Sequence, residues 1–211
     1  MNEETERRIA ESSPPGAPSD VLALCGSLRR ASSNAALLRA AERLAPPVLC
    51  IECWEGIGRL PPFDPDLEPR VRDERGAART PADAVERDDL AAVVELDTKV
   101  ARADALLIAC PEYARGVPGA FKNALDWLVG GDAFVAKPFV LFNASPRASH
   151  AQASLRVTLE TMSGVLVEPA CLSVPLAERG LDAAAIVADE ALSAPIRAAL
   201  GALATALSES R

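Results

Sequence analysis

Hydroxyl, amide and guanidinium groups crowd into "GSLRRASSN", residues 26–34, directly after one apolar run and directly before a helical pattern. Gly26 allows a tight turn, Ser27, Ser32, Ser33 and Asn34 supply hydrogen-bonding side chains, and Asn34 or Ser33 is suited to cap the helix. A helix N-terminus presents unpaired backbone N–H groups and the positive end of a dipole, so such a loop is built to hold an anion. Arg29 adds a planar fork for a phosphate. A second cluster, "PEYARG" at 111–116, follows another apolar run. There Pro111 stiffens the exit from the run, Tyr113 offers a flat face and Gly116 lets the backbone approach a planar ligand, with Glu112 and Arg115 as the charged members.

The segments between these clusters must bring them together. Five runs, at 21–25, 48–54, 105–110, 138–144 and 165–174, have the continuous apolar character of strands buried on both faces. Helical patterns at 34–45, 88–103, 118–130, 149–164 and 181–208 alternate with them, and Pro118 takes a position favoured in a first helical turn. Strict alternation predicts a parallel sheet with right-handed crossovers. The simplest such α/β fold is a doubly wound five-stranded sheet with helices on both faces, either in the flavodoxin-like order 2-1-3-4-5 or as half of a dinucleotide fold. In the former, strands 1 and 3 are neighbours, and the loops leaving their carboxyl ends open onto one crevice. "PEYARG" then forms a wall of the cleft that the 26–34 loop floors.

A chain of 211 residues, 49% hydrophobic, fits one domain, expected over 20–208 behind a disordered tail at 1–19. The charged, Pro-rich stretch 56–89 reads as a long surface excursion. A net charge of −8 argues against nucleic acid or an anionic membrane as partner, and no apolar run reaches the roughly 18 residues of a membrane span. The expectation is a soluble cytoplasmic protein. Its five cysteines, Cys25, Cys50, Cys53, Cys110 and Cys171, are expected to be reduced and mostly buried.

Two familiar phosphate signatures are absent, G-x-G-x-x-G and G-x-x-x-x-G-K-[ST], which leaves a terminal monoester phosphate such as that of FMN. A phosphate-ester hydrolase using Cys25 is a remote alternative, because the C-x5-R loop of such enzymes needs an arginine where this chain has Ala31. Cys50 and Cys53 form C-x-x-C inside an apparent strand, and His150 is the single histidine, so no metal site is expected. Lys122, Asn123 and Asp126 read as polar edges of a helix or cross-subunit pairs, and Trp127 as core or interface.

"GSLRRASSN" resembles the G-S-x-R-x-x-S-x-N phosphate loop of the NAD(P)H-dependent FMN reductase family, and "PEYARGVPGAFKNALDWL" resembles its P-E-Y-N-x-x-x-P-G-x-L-K-N-x-x-D-W segment. "LPPFDPDLE" and "KPFVLFNASP" resemble further segments, extending the likeness over roughly residues 20–205. The resemblance implies a flavodoxin-like fold that binds FMN, with NADPH or NADH as cosubstrate, usually as a homodimer or homotetramer. Carried over by position, Ser27, Arg29, Ser32 and Asn34 match the phosphate binders, and Ser33 lies between the last two as a further candidate from the loop itself. Pro111, Glu112, Tyr113 and Gly116 match the segment beside the isoalloxazine ring, Ala114 stands within that segment, and Ser145 lies in the loop on its far side. The family's Asn after Pro-Glu-Tyr is Ala114 here, and the glycine-rich loop expected after strand 4 reads "ASPRASHAQ". The implied activity is electron transfer from NAD(P)H through FMN to a small acceptor: a quinone, an azo compound, free flavin or a metal oxyanion. The chemistry sits on the cofactor, so no catalytic side chain is required. An FMN-binding module without reductase activity is the alternative.

Overall fold

In the computed structural model, which describes residues 17–68, 90–176 and 179–210, the expected parallel sheet forms. Its strands are β1 (Ser19–Cys25), β2 (Leu49–Trp54), β3 (Ala105–Ala109), β4 (Pro138–Asn143), β5 (Val165–Leu166) and β6 (Leu172–Ser173). The order is β2-β1-β3-β4-β5, with β6 also paired to β4. β1 pairs with both β2 and β3 in parallel register, Leu24 opposite Trp54 on one side and Ile108 on the other. The flavodoxin-like order is therefore the one adopted.

Helices α1 (Ser33–Leu44), α2 (Ala91–Arg102), α3 (Gly119–Val129), α4 (Ser149–Thr161), α5 (Ala183–Ala188) and α6 (Glu190–Glu209) cover the sheet. Side chains alternate across each strand, so neighbouring apolar residues feed opposite layers. Val21, Ala23, Ile51, Leu107 and Phe142 pack with Leu37 and Leu38 of α1 and with Ile196, Leu200 and Leu203 of α6. Leu22, Leu24, Leu106, Ile108 and Leu141 meet Leu96 and Val100 of α2, Phe121 and Leu125 of α3, and Leu155 and Leu159 of α4. β3 is buried at every position, which explains its unbroken apolar sequence. By length and composition α6 is apolar enough to cross a bilayer, yet its buried stripe belongs to this core.

Three expectations need correction. The run 165–174 is not one strand but two short pieces flanking a 3₁₀ turn at Glu168–Ala170. Pro169 cannot donate to a ladder, and this is the sheet edge, where such an interruption is tolerated. The Leu141 N–H left facing the gap points at Cys171 Sγ, 3.5 Å away. The C-terminal helix is likewise broken, because Asp189 is extended and its carboxylate caps α6 through Ala191 N. β1 starts at Ser19, one residue inside the expected tail, whose residues 1–16 lie outside the described ones.

The excursion after β2 begins as two 3₁₀ turns, Gly56–Arg59 and Pro65–Leu67, before residues 69–89, which lie outside the described ones. α3 holds its first part down. Asn123 Oδ1 accepts from Phe63 N at 2.7 Å while Asn123 Nδ2 donates to the Pro61 carbonyl at 2.8 Å. Trp127 Nε1 donates to the same carbonyl at 2.9 Å, and the Phe63 ring stands edge-on to the indole at 5.1 Å. Asn123 and Trp127 are thus part of the packing against 61–63, while Lys122 and Asp126 pair with each other on the exposed side of the helix.

Candidate functional site

The parallel register carries β1, β3 and β4 to the same end of the sheet, where their outgoing loops meet. A cleft of about 400 Å³ lies there, lined by Ser27, Arg29, Ser32, Ser33 and Asn34 from the first loop, Pro111, Glu112 and Tyr113 from the second, and Ser145 from the third. Nine of the eleven residues singled out from sequence therefore share one cavity. Ala114 and Gly116 do not line it; they belong to a turn beyond Tyr113.

Gly26 makes the close approach of the first two loops possible. Its N–H donates to the Ala109 carbonyl at 2.9 Å, and a Cβ added at Gly26 would lie 2.5 Å from Cys110 Sγ. The chain then runs to Ser32, which is extended and caps α1 by accepting from Ala35 N at 3.2 Å. The cap is therefore Ser32, not Ser33 or Asn34, because the backbone turns into the helix one residue earlier. Asn34 is buried, and its Oδ1 has no hydrogen-bond partner among the described residues. A buried amide oxygen without a partner is costly, so the position is suited to a ligand that brings a donor, or, with the amide turned over, an acceptor.

The second loop closes as a two-residue turn. Tyr113 and Gly116 exchange backbone hydrogen bonds of 3.1 and 3.0 Å, and Ala114 and Arg115 sit at φ 51° and 60°. Both central residues of such a turn need positive φ, which costs alanine more than asparagine or glycine. An asparagine at position 114, as in the resembled family's motif, suits this backbone conformation better than alanine. Ala114→Asn is expected to raise stability by about 1 kcal/mol, a gain of roughly 2–4 °C in Tm for a chain of this size. A melting curve unchanged by the substitution would show that the turn carries no strain. Pro118 sits one residue earlier than expected, at the cap of α3, where its carbonyl accepts from Phe121 and Lys122.

Two further polar residues line the cleft that the sequence patterns do not single out. Asn143, at the end of β4, is buried and turns the third loop by accepting from Ser145 N at 3.0 Å. Arg147 adds a cation to the lining. Their position just past a carboxyl strand end was the available signal.

Cys25 does not belong to this cleft. It faces a neighbouring cavity of about 430 Å³ between the first loop and the turn after β2. Burial pushes its thiol pKa up despite contacts with the Ser27 carbonyl, 3.7 Å away, and Ser32 Oγ, 4.0 Å away. A thiol held neutral in this way is a poor nucleophile, which removes the physical basis for a Cys25 hydrolase. Burial likewise drives Cys53 and Cys110 up to about 12. The expectation of mostly buried cysteines holds fully for Cys110 alone; Cys50 is exposed and the other three are half-buried. Three residues apart on one strand, Cys50 and Cys53 point to opposite faces.

Residues 19–179 match the NADPH-dependent FMN reductase family. The chain belongs to that family. It is an oxidoreductase that uses FMN and NAD(P)H. It is 31% identical to a quinone reductase of Pseudomonas putida over 163 residues, 76% of this chain and 77% of that protein. With an NAD(P)H-dependent FMN reductase of Pseudomonas aeruginosa it shares 35% identity over 144 residues, 66% and 68% of the two chains. Among solved structures, the flavoenzyme NAD(P)H:acceptor oxidoreductase FerB of Paracoccus denitrificans superposes with a TM-score of 0.66 at 26% identity, covering 90% of this chain and 98% of FerB. The residues of the cleft suit FMN: a helix N-terminus and Arg29 for its phosphate, and an apolar and aromatic wall for its ring.

Proposed function

We propose that the cleft holds FMN with its phosphate against residues 26–34 and its ring between Pro111–Tyr113 and the Ser145 loop, and that the electrons pass to a quinone. The observation that carries this reading is the convergence, in one cavity, of the capped α1 terminus, the unpartnered Asn34 Oδ1 and the second and third loops. The quinone acceptor is supported by the P. putida relative. Bound FMN supplies hydride acceptance from the nicotinamide and electron release to the acceptor.

The chain's own residues bind and orient. Arg29, the hydroxyls of Ser27, Ser32 and Ser33 and the N–H groups at the start of α1 neutralise the phosphate. Pro111 and Tyr113 give the ring a rigid flank, and the third loop closes the opposite side. A cytoplasmic homo-oligomer is part of the same reading; Val129 and Val157, both exposed, are apolar positions a neighbouring copy would cover.

The test is an absorbance spectrum of the purified protein, followed by anaerobic NADPH and then a benzoquinone. Flavin bands that bleach and then return are the expected result. Bands indifferent to both NADPH and NADH would reduce the protein to a flavin-binding module. Arg29→Ala is expected to weaken FMN binding at least tenfold, since a charge-assisted hydrogen bond contributes about 1.5–3 kcal/mol. Unchanged affinity in a flavin titration would take Arg29 out of the site.

A further inference from the structure

Two crossed contacts tie the second loop of the cleft to the helix behind the third. Glu112 Oε2 accepts from the Ala151 backbone N–H at 2.9 Å, and Gln152 Nε2 donates to the Cys110 carbonyl at 3.3 Å. α4 begins without a local cap, because Ala148 at the cap position has no side-chain oxygen and makes no capping bond. Ala151 is the third residue of the helix, and its N–H is one of those a capping side chain normally takes. A carboxylate placed there also meets the positive end of the helix. Glu112 thus does for α4 what Ser32 does for α1, but from 39 residues away in sequence.

The third loop depends on this anchor. It has no glycine, and it is turned by the Asn143 bond to Ser145 N and by Ala148 N donating to the Ser145 carbonyl at 2.9 Å, so it moves with the start of α4. Glu112 itself lies between Pro111 and Tyr113 on one wall of the cleft, opposite Ser145 and Ala148. With its carboxylate engaged by α4, the residue joins the two walls.

We propose that Glu112 is a positioning residue: its carboxylate fixes the separation of the two loops that flank the ring of the cofactor and does not itself hold FMN. This rests on the reading of the cleft as the FMN site. Glu112→Gln keeps an acceptor oxygen at the α4 terminus, whereas Glu112→Ala removes it.

The experiment compares the two variants by melting of the apo protein and by FMN titration followed through visible circular dichroism. The alanine variant is expected to melt about 2–4 °C lower without cofactor. It should also bind FMN about tenfold more weakly, with an altered flavin band, because a slot loosened by about an ångström loses its fit. The glutamine variant should recover both. If both variants lose affinity equally while their apo melting stays at the wild-type value, Glu112 is a direct ligand and the proposal falls. It falls as well if the alanine variant melts and binds like wild type. Should wild-type protein take up no FMN, the reading of the cleft fails, and the apo melting series still decides whether the carboxylate braces α4.

Discussion

Trp127→Ala is expected to lower the stability of the protein by about 3–5 kcal/mol, as read from urea unfolding. The indole is completely buried and forms the centre of a satellite cluster with Leu90, Val93 and Val94, against which Leu60, Phe63 and Leu67 pack. Truncation opens a cavity, removes the edge-on contact with Phe63 and takes one of two donors from the Pro61 carbonyl. Against a net stability of roughly 5–15 kcal/mol, that is a large fraction of the total. Trp127→Phe separates the contributions. It keeps most of the apolar volume, and the carbonyl keeps Asn123 Nδ2, so it should cost about 1–2 kcal/mol. An alanine variant that unfolds at the wild-type urea midpoint would mean that the cluster does not form.

That cluster illustrates what is hard to read from a sequence. The Trp127 and Asn123 side chains gain their meaning from Pro61 and Phe63, some sixty residues away, and no local spacing encodes such a contact. The strands are the opposite case. β1, β3 and β4 are buried on both faces, so their continuous apolar sequences report their environment directly. The edge is less legible, because it satisfies fewer constraints: Val165 to Val174 reads as one mostly apolar run, yet Glu168 and Pro169 break it and Cys171 accepts the stranded N–H.

The same contrast runs through the cleft. Residues 26–34 and 111–113 were legible because each cluster sits at a strand end and carries its own chemistry. The choice of cap among Ser32, Ser33 and Asn34 was not, since all three side chains are competent and only the backbone at Ser32 decides. Glu112 is placed beside the ring by its match to the family segment, while the partner it shows is the terminus of a helix that starts 37 residues later, after the whole of α3 and β4. Side chains that join distant elements are where a one-dimensional reading is weakest.

Gly26→Ala is expected to disrupt the site more than any other single methyl group. The added carbon would sit 2.5 Å from Cys110 Sγ and 3.2 Å from Cys110 Cα and Cβ, at the point where β1 and β3 release the first two loops of the cleft. Relief requires Cys110 to move, and the loop bearing Glu112 and Tyr113 moves with it. Overpacking of this kind costs about 1–3 kcal/mol. The phosphate loop and the ring wall also lose their mutual register, so FMN affinity should fall by well over tenfold if the cleft is the cofactor site. A double-mutant cycle isolates the cause. Cys110→Ala alone removes a buried sulfur, which is mildly destabilising; combined with Gly26→Ala it removes the 2.5 Å clash and leaves only the 3.2 Å contacts with Cys110 Cα and Cβ. The pair should therefore be more stable than the sum of its parts by about 0.5–3 kcal/mol, and should regain part of its FMN binding. Strict additivity in urea unfolding would show that the two residues do not press on each other, and that Gly26 serves the loop through its backbone freedom alone.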